Sequence, residues 1–202
     1  MIVTISNQHG SGAVSVAQNA ARALGYTLVD RQLPVVVAKR LRISAQESRS
    51  VDETGRSLGA RFLSGLELST PEVAGASATP TFDDAYIVEV QKAVRDYAAR
   101  GNVVIVGRAA GVILGRRRDV LRVFMHAPRE WRIERMSVDL EIDARVAAAE
   151  VDRVDKARAA HLRDWYGAAF GDSGLYDLSI DTSSFGIEAS AEIIAGAVRT
   201  HS

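Results

Sequence analysis

The stretch Ile2-Val3-Thr4-Ile5-Ser6-Asn7-Gln8-His9-Gly10-Ser11-Gly12-Ala13-Val14-Ser15-Val16, residues 2–16, decides the fold. Ile2 to Ile5 is a β-branched apolar run that stops at polar and glycine residues, the pattern of a short buried strand. From Ala13 onward, Val16, Ala17, Ala20 and Leu24 recur at helical spacing, and Gly25 supplies a left-handed stop. Tyr26 to Val29 then reads as a second strand. Strand, glycine loop, helix, strand is the opening of a doubly wound α/β sheet.

Outward from this unit, Val103 to Val106 predicts a core strand, because four apolar residues end abruptly at Gly107-Arg108. Before it lies a helix from about Asp84, with Ile87, Val90, Val94 and Tyr97 on one face and Gly101 beyond its end. After it come a strand over Val120 to Met125, a basic helix from about Arg129, mostly helical residues 144–170, and a strand over Leu178 to Ile180. A closing helix carries Ile187, Ala191, Ile194 and Val198. Residues 31–68 read as weakly amphipathic helix, and Ser69 to Thr81, rich in Ser, Thr, Pro, Gly and Ala, as a flexible loop.

At 202 residues and 47% hydrophobic, the chain can bury one full core. Twenty-five basic residues balance twenty-five acidic ones, which argues against nucleic acid or a membrane surface as partner and for a small molecule. The absence of cysteine removes disulfides and thiolate metal sites, which fits a reducing cytoplasm. No apolar run nears membrane-spanning length, and the N-terminus lacks the pattern of a signal peptide. Oligomeric state is not legible.

Three constellations carry chemistry. The loop from Ser6 to Gly12 lies between a strand and a helix, where successive backbone N–H groups and a helix N-terminus can cradle phosphate. A strict Walker A loop would end in Gly-Lys-Ser/Thr; here those places hold Gly12, Ala13 and Val14, with Ser15 as the next hydroxyl that a metal ion could use. Gly10 and Gly12 followed by Asp30 also outline a dinucleotide-binding fingerprint, although Ser15 stands at the third glycine. The second constellation, Val106-Gly107-Arg108-Ala109-Ala110-Gly111, puts Arg108 at a strand's C-terminal end, where a guanidinium can fork onto phosphate. The third is a set of arginines, Arg116 to Arg118, then Arg129, Arg132 and Arg135, then Arg153, Arg158 and Arg163. Most of them suit a solvated surface, and a few suit charge stabilisation during phosphoryl transfer. His9, His126, His161 and His201 show no ligand spacing, which leaves a metalloenzyme or a serine-triad hydrolase without support.

In order and spacing these segments resemble the cytidylate kinase-like family over essentially the whole chain. The likeness rests on residues 3–12, 103–110, 120–136, 154–160 and 176–188. The resemblance implies a three-layer P-loop nucleoside monophosphate kinase fold, a parallel sheet flanked by helices, in one domain. Residues 1–30 and 101–202 would form the core with a lid near 129–170, and residues 31–100 a monophosphate-binding region. It implies transfer of the ATP γ-phosphoryl group, with Mg²⁺, to a CMP-like nucleoside monophosphate or other small acceptor.

Carried over by position, Gly10, Ser11, Gly12, Ala13 and Ser15 form the nucleotide-phosphate loop. Asp30, Arg108, Asp155 and Arg158 serve the acceptor, and Arg132 and Arg135 lie where lid arginines grip the donor phosphates, so that Arg108, Arg132, Arg135 and Arg158 are the expected catalytic set. Bacterial cytidylate kinase has lysine where this chain has Ala13 and aspartate where it has Ala109. The looser branch of the family has arginine at the place of Asn7 and a basic or polar residue at that of Val14. Three classes stay open: a kinase with an atypical phosphate loop, a nucleotide-binding or regulatory protein without catalysis, and an NAD-type binder.

Overall fold

The structure, a computed structural model, describes residues 1–30, 32–41 and 82–201. The expected loop Ser69 to Thr81, and the helical reading of the chain between residues 42 and 68, lie outside the described residues.

Among the described residues, five parallel strands, β1 (Ile2–Asn7), β2 (Thr27–Val29), β3 (Val103–Val106), β4 (Val120–His126) and β5 (Leu178–Asp181), form one sheet in the order β2-β3-β1-β4-β5. β1 is central, its Ile2 beside both Val103 and Val120. Every parallel pair needs a crossover, and helices supply it. Among the described residues the helices are α1 (Ala13–Leu24), α2 (Gln32–Leu41), α3 (Phe82–Arg100), α4 (Ala110–Leu114), α5 (Arg129–Leu140), α6 (Ala144–Tyr166) and α7 (Thr182–Thr200), the last of which follows β5, with one 3₁₀ turn at Ser173–Leu175.

Alternation along the strands divides the core. Val3, Ile5, Val104, Val106, Leu121, Val123 and Met125 face one side, where Val16, Ala17 and Ala20 of α1 and Ile194 and Val198 of α7 cover them. Ile2, Val103, Ile105 and Val120 face the other, against Leu33 and Val37 of α2 and Tyr86, Val90 and Val94 of α3. The small stripe of α1 lets it lie close to the sheet while its loop reaches the sheet's upper edge. Met136, Ala147 and Val151 form a separate small cluster between α5 and α6, so that this helical pair carries its own core.

The sequence reading placed α1, β3 and the boundaries at Gly25 and Gly101 correctly; both glycines are left-handed, at φ 68° and 69°. It missed α4, whose five residues are too few to show a period.

On β4 the other side of the sheet holds a charge. The Arg122 side chain is 6% exposed and pairs with Asp177, Nη2 to Oδ1 at 2.6 Å and Nε to Oδ2 at 3.0 Å, while the Arg122 backbone N–H also donates to Oδ2. The guanidinium hydrogen bonds hold the Asp177 carboxyl below its ordinary range. A carboxylate depressed in the folded state adds stability above its unfolded pKa, and that stability is lost as pH falls through the folded value. Asp177→Asn is therefore expected to cost about 3 kcal/mol near neutrality, by stranding a buried guanidinium. The gap to the parent protein should narrow on acidification below the ordinary carboxylate range, as read from urea unfolding.

The turn after β3 is strained: Gly107, Arg108 and Ala109 are consecutive left-handed residues, at φ 74°, 58° and 52°. A side chain in this region costs about 1–2 kcal/mol. Part of that is recovered by substituting glycine, against its own entropy of about 0.5–1 kcal/mol. Ala109→Gly should raise stability by about 0.5–1 kcal/mol in the same measurement.

Candidate functional site

The loop from Gln8 to Gly12 crosses the C-terminal edge of the sheet between β1 and α1. Its ends are pinned: the Gln8 N–H donates to the Met125 carbonyl at 3.0 Å, and Gln8 Oε1 accepts from the Ala127 N–H at 3.2 Å. The buried Thr182 hydroxyl shares its one proton between the carbonyls of Ser11, at 2.8 Å, and His126, at 3.1 Å. The loop is thereby fastened to β4 and to the start of α7.

Gly10 and Gly12 are left-handed, at φ 80° and 78°, and both are approached closely. A Cβ on Gly10 would stand 3.0 Å from the Arg132 carbonyl oxygen. One on Gly12 would stand 2.6 Å from Ile187 Cδ1 and 2.8 Å from Arg135 Nη1. Glycine is thus required twice over, by conformation and by space. It lets α5 rest directly on the loop, with the Arg135 guanidinium against Gly12.

α1 begins with no side-chain cap and no acidic residue in its first turn, so its leading N–H groups keep their partial positive charge. Ser11 is fully buried, and its hydroxyl has no hydrogen-bond partner among the described residues. A loop of this build favours an anion.

Asp155 on α6 ties the parts together. One carboxylate oxygen accepts from the His9 N–H at 2.8 Å and the other from Arg132 Nη1 at 2.6 Å. Arg132, 5% exposed, also donates from Nη1 to the His9 carbonyl at 2.9 Å and from Nε to the Ala127 carbonyl at 3.0 Å. Arg158, one turn after Asp155, donates to the Asn7 carbonyl at 2.6 Å. Burial lowers its pKa most, against the raising charge of Asp155, and Arg108 and Arg132 lower it further; a guanidinium stays charged through such a shift.

Beside the loop opens a cavity of about 240 Å³ lined by Ser6, Asn7, Asp30, Arg108, Arg158 and His161, with Phe170 and apolar residues of α6. Asp30 enters from the end of β2 and Arg108 from the strained turn after β3, so the cavity lies at strand ends, as ligand sites of open α/β sheets do.

Of the expected site residues, the structure brings Asp30, Arg108 and Arg158 into this one cavity, and Gly10, Ser11, Gly12, Ala13 and Arg135 into the loop beside it. Arg132 and Asp155 lie between the two as a clamp, with the Arg132 donors turned to the protein itself. Ser15 sits half-buried in the first turn of α1. His161 and Phe170 escaped the sequence reading, although His161 follows Arg158 by three residues and so shares its helix face. That spacing is the sequence signal that marks it. Among the described residues no three His, Cys, Asp or Glu side chains group as a metal site, and no helix is long and apolar enough to cross a membrane.

Comparison with known proteins places this geometry. Residues 2–184 match the cytidylate kinase-like family. The cytidylate kinase of Natronomonas pharaonis is 26% identical over 203 residues, covering 100% of this chain and 91% of that protein. The cytidylate kinase of Methanopyrus kandleri is 25% identical over 206 residues, covering 98% and 93%. Among solved structures, an uncharacterized protein from Eubacterium ventriosum superimposes with a TM-score of 0.73 at 21% identity, covering 99% of this chain and 98% of that one. A shikimate kinase from Bacteroides thetaiotaomicron does so with 0.56 at 13% identity, covering 98% of each. At such identities the likeness is one of fold, the three-layer P-loop nucleoside monophosphate kinase fold that the sheet order also describes. On the span of the match and the run of relatives at about a quarter identity, this chain belongs to the cytidylate kinase-like family.

Proposed function

We propose that the chain is a nucleotide-binding phosphotransferase that takes the γ-phosphoryl group of ATP to a CMP-like nucleoside monophosphate or a similar small phosphorylated acceptor. The observation that carries this reading is the meeting of two anion sites at one sheet edge: the loop at Gly10 to Ala13, and the cavity holding Arg108 and Arg158. Phosphoryl transfer needs little from a protein beyond positioning and electrostatic stabilisation, and two adjoining cationic sites supply both.

In this reading the N–H groups of Gly10 to Ala13 hold the donor phosphates. Arg108 and Arg158 hold the acceptor phosphate, and Asp30 orients the acceptor. The uncapped start of α1 and the buried, unpartnered Ser11 hydroxyl fit a phosphate group. Magnesium supplies charge neutralisation on the phosphates; it would travel with the nucleotide, and the Ser15 hydroxyl is the protein ligand we assign to it. Arg135, against Gly12, takes the charge position that the missing loop lysine leaves open, and Asp155 holds Arg132 and the loop in place. Residues 129–170 then act as the lid and residues 31–100 as the monophosphate-binding region, all within one domain.

Ala13 favours a second reading, a nucleotide-binding or regulatory protein without turnover. Assay of phosphoryl transfer from ATP to a panel of nucleoside monophosphates, with and without Mg²⁺, tests the first reading directly.

Two further outcomes are expected. If inorganic phosphate binds at about 1 mM, then tenfold that concentration adds about 1.4 kcal/mol. For a chain of this size that should raise the melting temperature by about 3–5 °C in differential scanning fluorimetry. Arg108→Ala should remove a large part of this shift, and no shift in either protein would end the anion-site assignment.

The substitution Ala13→Lys should raise turnover by about tenfold or more, some 1.4 kcal/mol of barrier, and raise ATP affinity by less, because the contact strengthens as the bond breaks. ATP bound more tightly without detectable turnover on any monophosphate would put the second reading first.

A further inference from the structure

α6 presents a continuous stripe to the cavity: Val154, Ala157, Arg158, His161 and Leu162, spaced three and four apart. Val154 and Leu162 are buried at 8% and 6% exposure and close the wall. Between them, one turn beyond Arg158, His161 is half-buried. Its ring lies 5.9 Å from the Tyr166 ring, tilted by 57°, and neither ring nitrogen has a hydrogen bond among the described residues.

A histidine that merely fills a core is usually satisfied by a neighbouring carbonyl or carboxylate, since burying an unpaired polar nitrogen costs free energy. His161 instead borders open volume beside two guanidinium groups. An imidazole alone among the cavity's described side chains changes charge near neutral pH.

We propose that His161 is a ligand-contacting residue of this cavity, donating a hydrogen bond to the anionic acceptor and taking up a proton as that anion binds. The proposal rests on the reading of the cavity as the acceptor site and deepens it: the ligand class it selects is a phosphate dianion rather than a neutral or singly charged group.

The electrostatics run in one direction. Burial first and the Arg108 charge second lower the His161 pKa from its ordinary value, while Asp164 on its own helix raises it. Arg158 lies one turn earlier on α6, and Asp30 faces the cavity from the end of β2. Ser6 and Asn7 of β1, and Phe170 after α6, add no charge. Before an anion binds, these influences favour the neutral imidazole near neutrality. A dianion between Arg108 and Arg158 offsets the Arg108 charge that disfavours the imidazolium, and gives the imidazolium N–H groups an acceptor, so the pKa rises on binding. Raised in the complex, it makes affinity grow as pH falls from above the bound value toward the free one, by at most about tenfold per pH unit for one proton.

Isothermal titration calorimetry with cytidine 5′-monophosphate tests this, run at about pH 7 and about pH 8, where the phosphate monoester is already largely dianionic, in buffers of unequal ionisation enthalpy. The parent protein should take up a fraction of a proton on binding. His161→Gln keeps a donor but cannot be protonated, so it should still bind while proton uptake disappears; His161→Leu should bind more weakly than His161→Gln. The imidazole resonance that His161→Gln removes from the four-histidine proton spectrum should titrate at higher pH with the nucleotide than without it. Equal proton uptake by the parent protein and His161→Gln would overturn the proposal while leaving the acceptor site intact. Binding unaffected by Arg108→Ala, or no binding of cytidine 5′-monophosphate or inorganic phosphate at all, would overturn the acceptor-site reading itself, and the proposal with it.

Discussion

The site depends on one carboxylate. Asp155 accepts the His9 N–H with one oxygen and the Arg132 guanidinium with the other. The loop from Gln8 to Gly12, the first turns of α5 and the middle of α6 thereby meet at a single point. Without that partner Arg132, at 5% exposure, would be a buried unpaired charge, and removal of either member of such a pair costs about 3–5 kcal/mol. Arg132 Nε and Nη1 also donate to the Ala127 and His9 carbonyls, which makes the pair part of a network rather than an isolated bridge. Loop and α5 are consequently held as one unit, and whatever moves α5 moves the groups facing the loop.

Close approach is the second constraint, and it follows from the first. α5 can be clamped onto the loop only because Gly10 and Gly12 carry no side chain; a methyl group on either would strike the Arg132 backbone or the Arg135 guanidinium. The turn after β3 meets a comparable demand without glycine at two of its three left-handed positions, so Arg108 is carried on strained backbone. Strain of this kind persists only where the surroundings over-determine it. Here β3 fixes one end of the turn and α4, capped directly onto it, fixes the other.

Strand and helix signals were readable because they are local. Val103 to Val106 announces itself by continuous apolarity, and α1 by its small apolar stripe and the glycine at its end. The grouping of Asp30, Arg108 and Arg158 was readable only through motif order, since parallel pairing brings together residues far apart in sequence. The clamp was not readable at all. Arg132 was expected to face donor phosphates, and nothing in its spacing shows that its donors reach the His9 and Ala127 carbonyls, which depends on how α5 crosses the loop. His161 was hidden for a different reason: its spacing from Arg158 shows only a shared helix face, and its meaning comes from the two guanidinium groups that the fold sets beside it. Ala13 was legible, but the placing of the Arg135 guanidinium against Gly12 was not, because another helix supplies it.

That change of supplier matters on the proposed reading. A lysine on the loop is always at the phosphates, whereas Arg135 belongs to α5 and reaches Gly12 only while α5 is docked. Its other attachments are weak: an exposed contact to Asp139 at 3.2 Å, four residues along the helix, and the Trp131 ring 5.5 Å from its guanidinium carbon. A helical pair of that kind is worth only about 0.3–0.5 kcal/mol, less than a charge-assisted contact to phosphate returns. Nucleotide phosphates can therefore draw Arg135 from Asp139 at small cost, and the charge that a loop lysine holds permanently is delivered here by the docking of a helix. An active site built this way makes phosphoryl transfer depend on lid position, and the Asp155–Arg132 clamp sets that position.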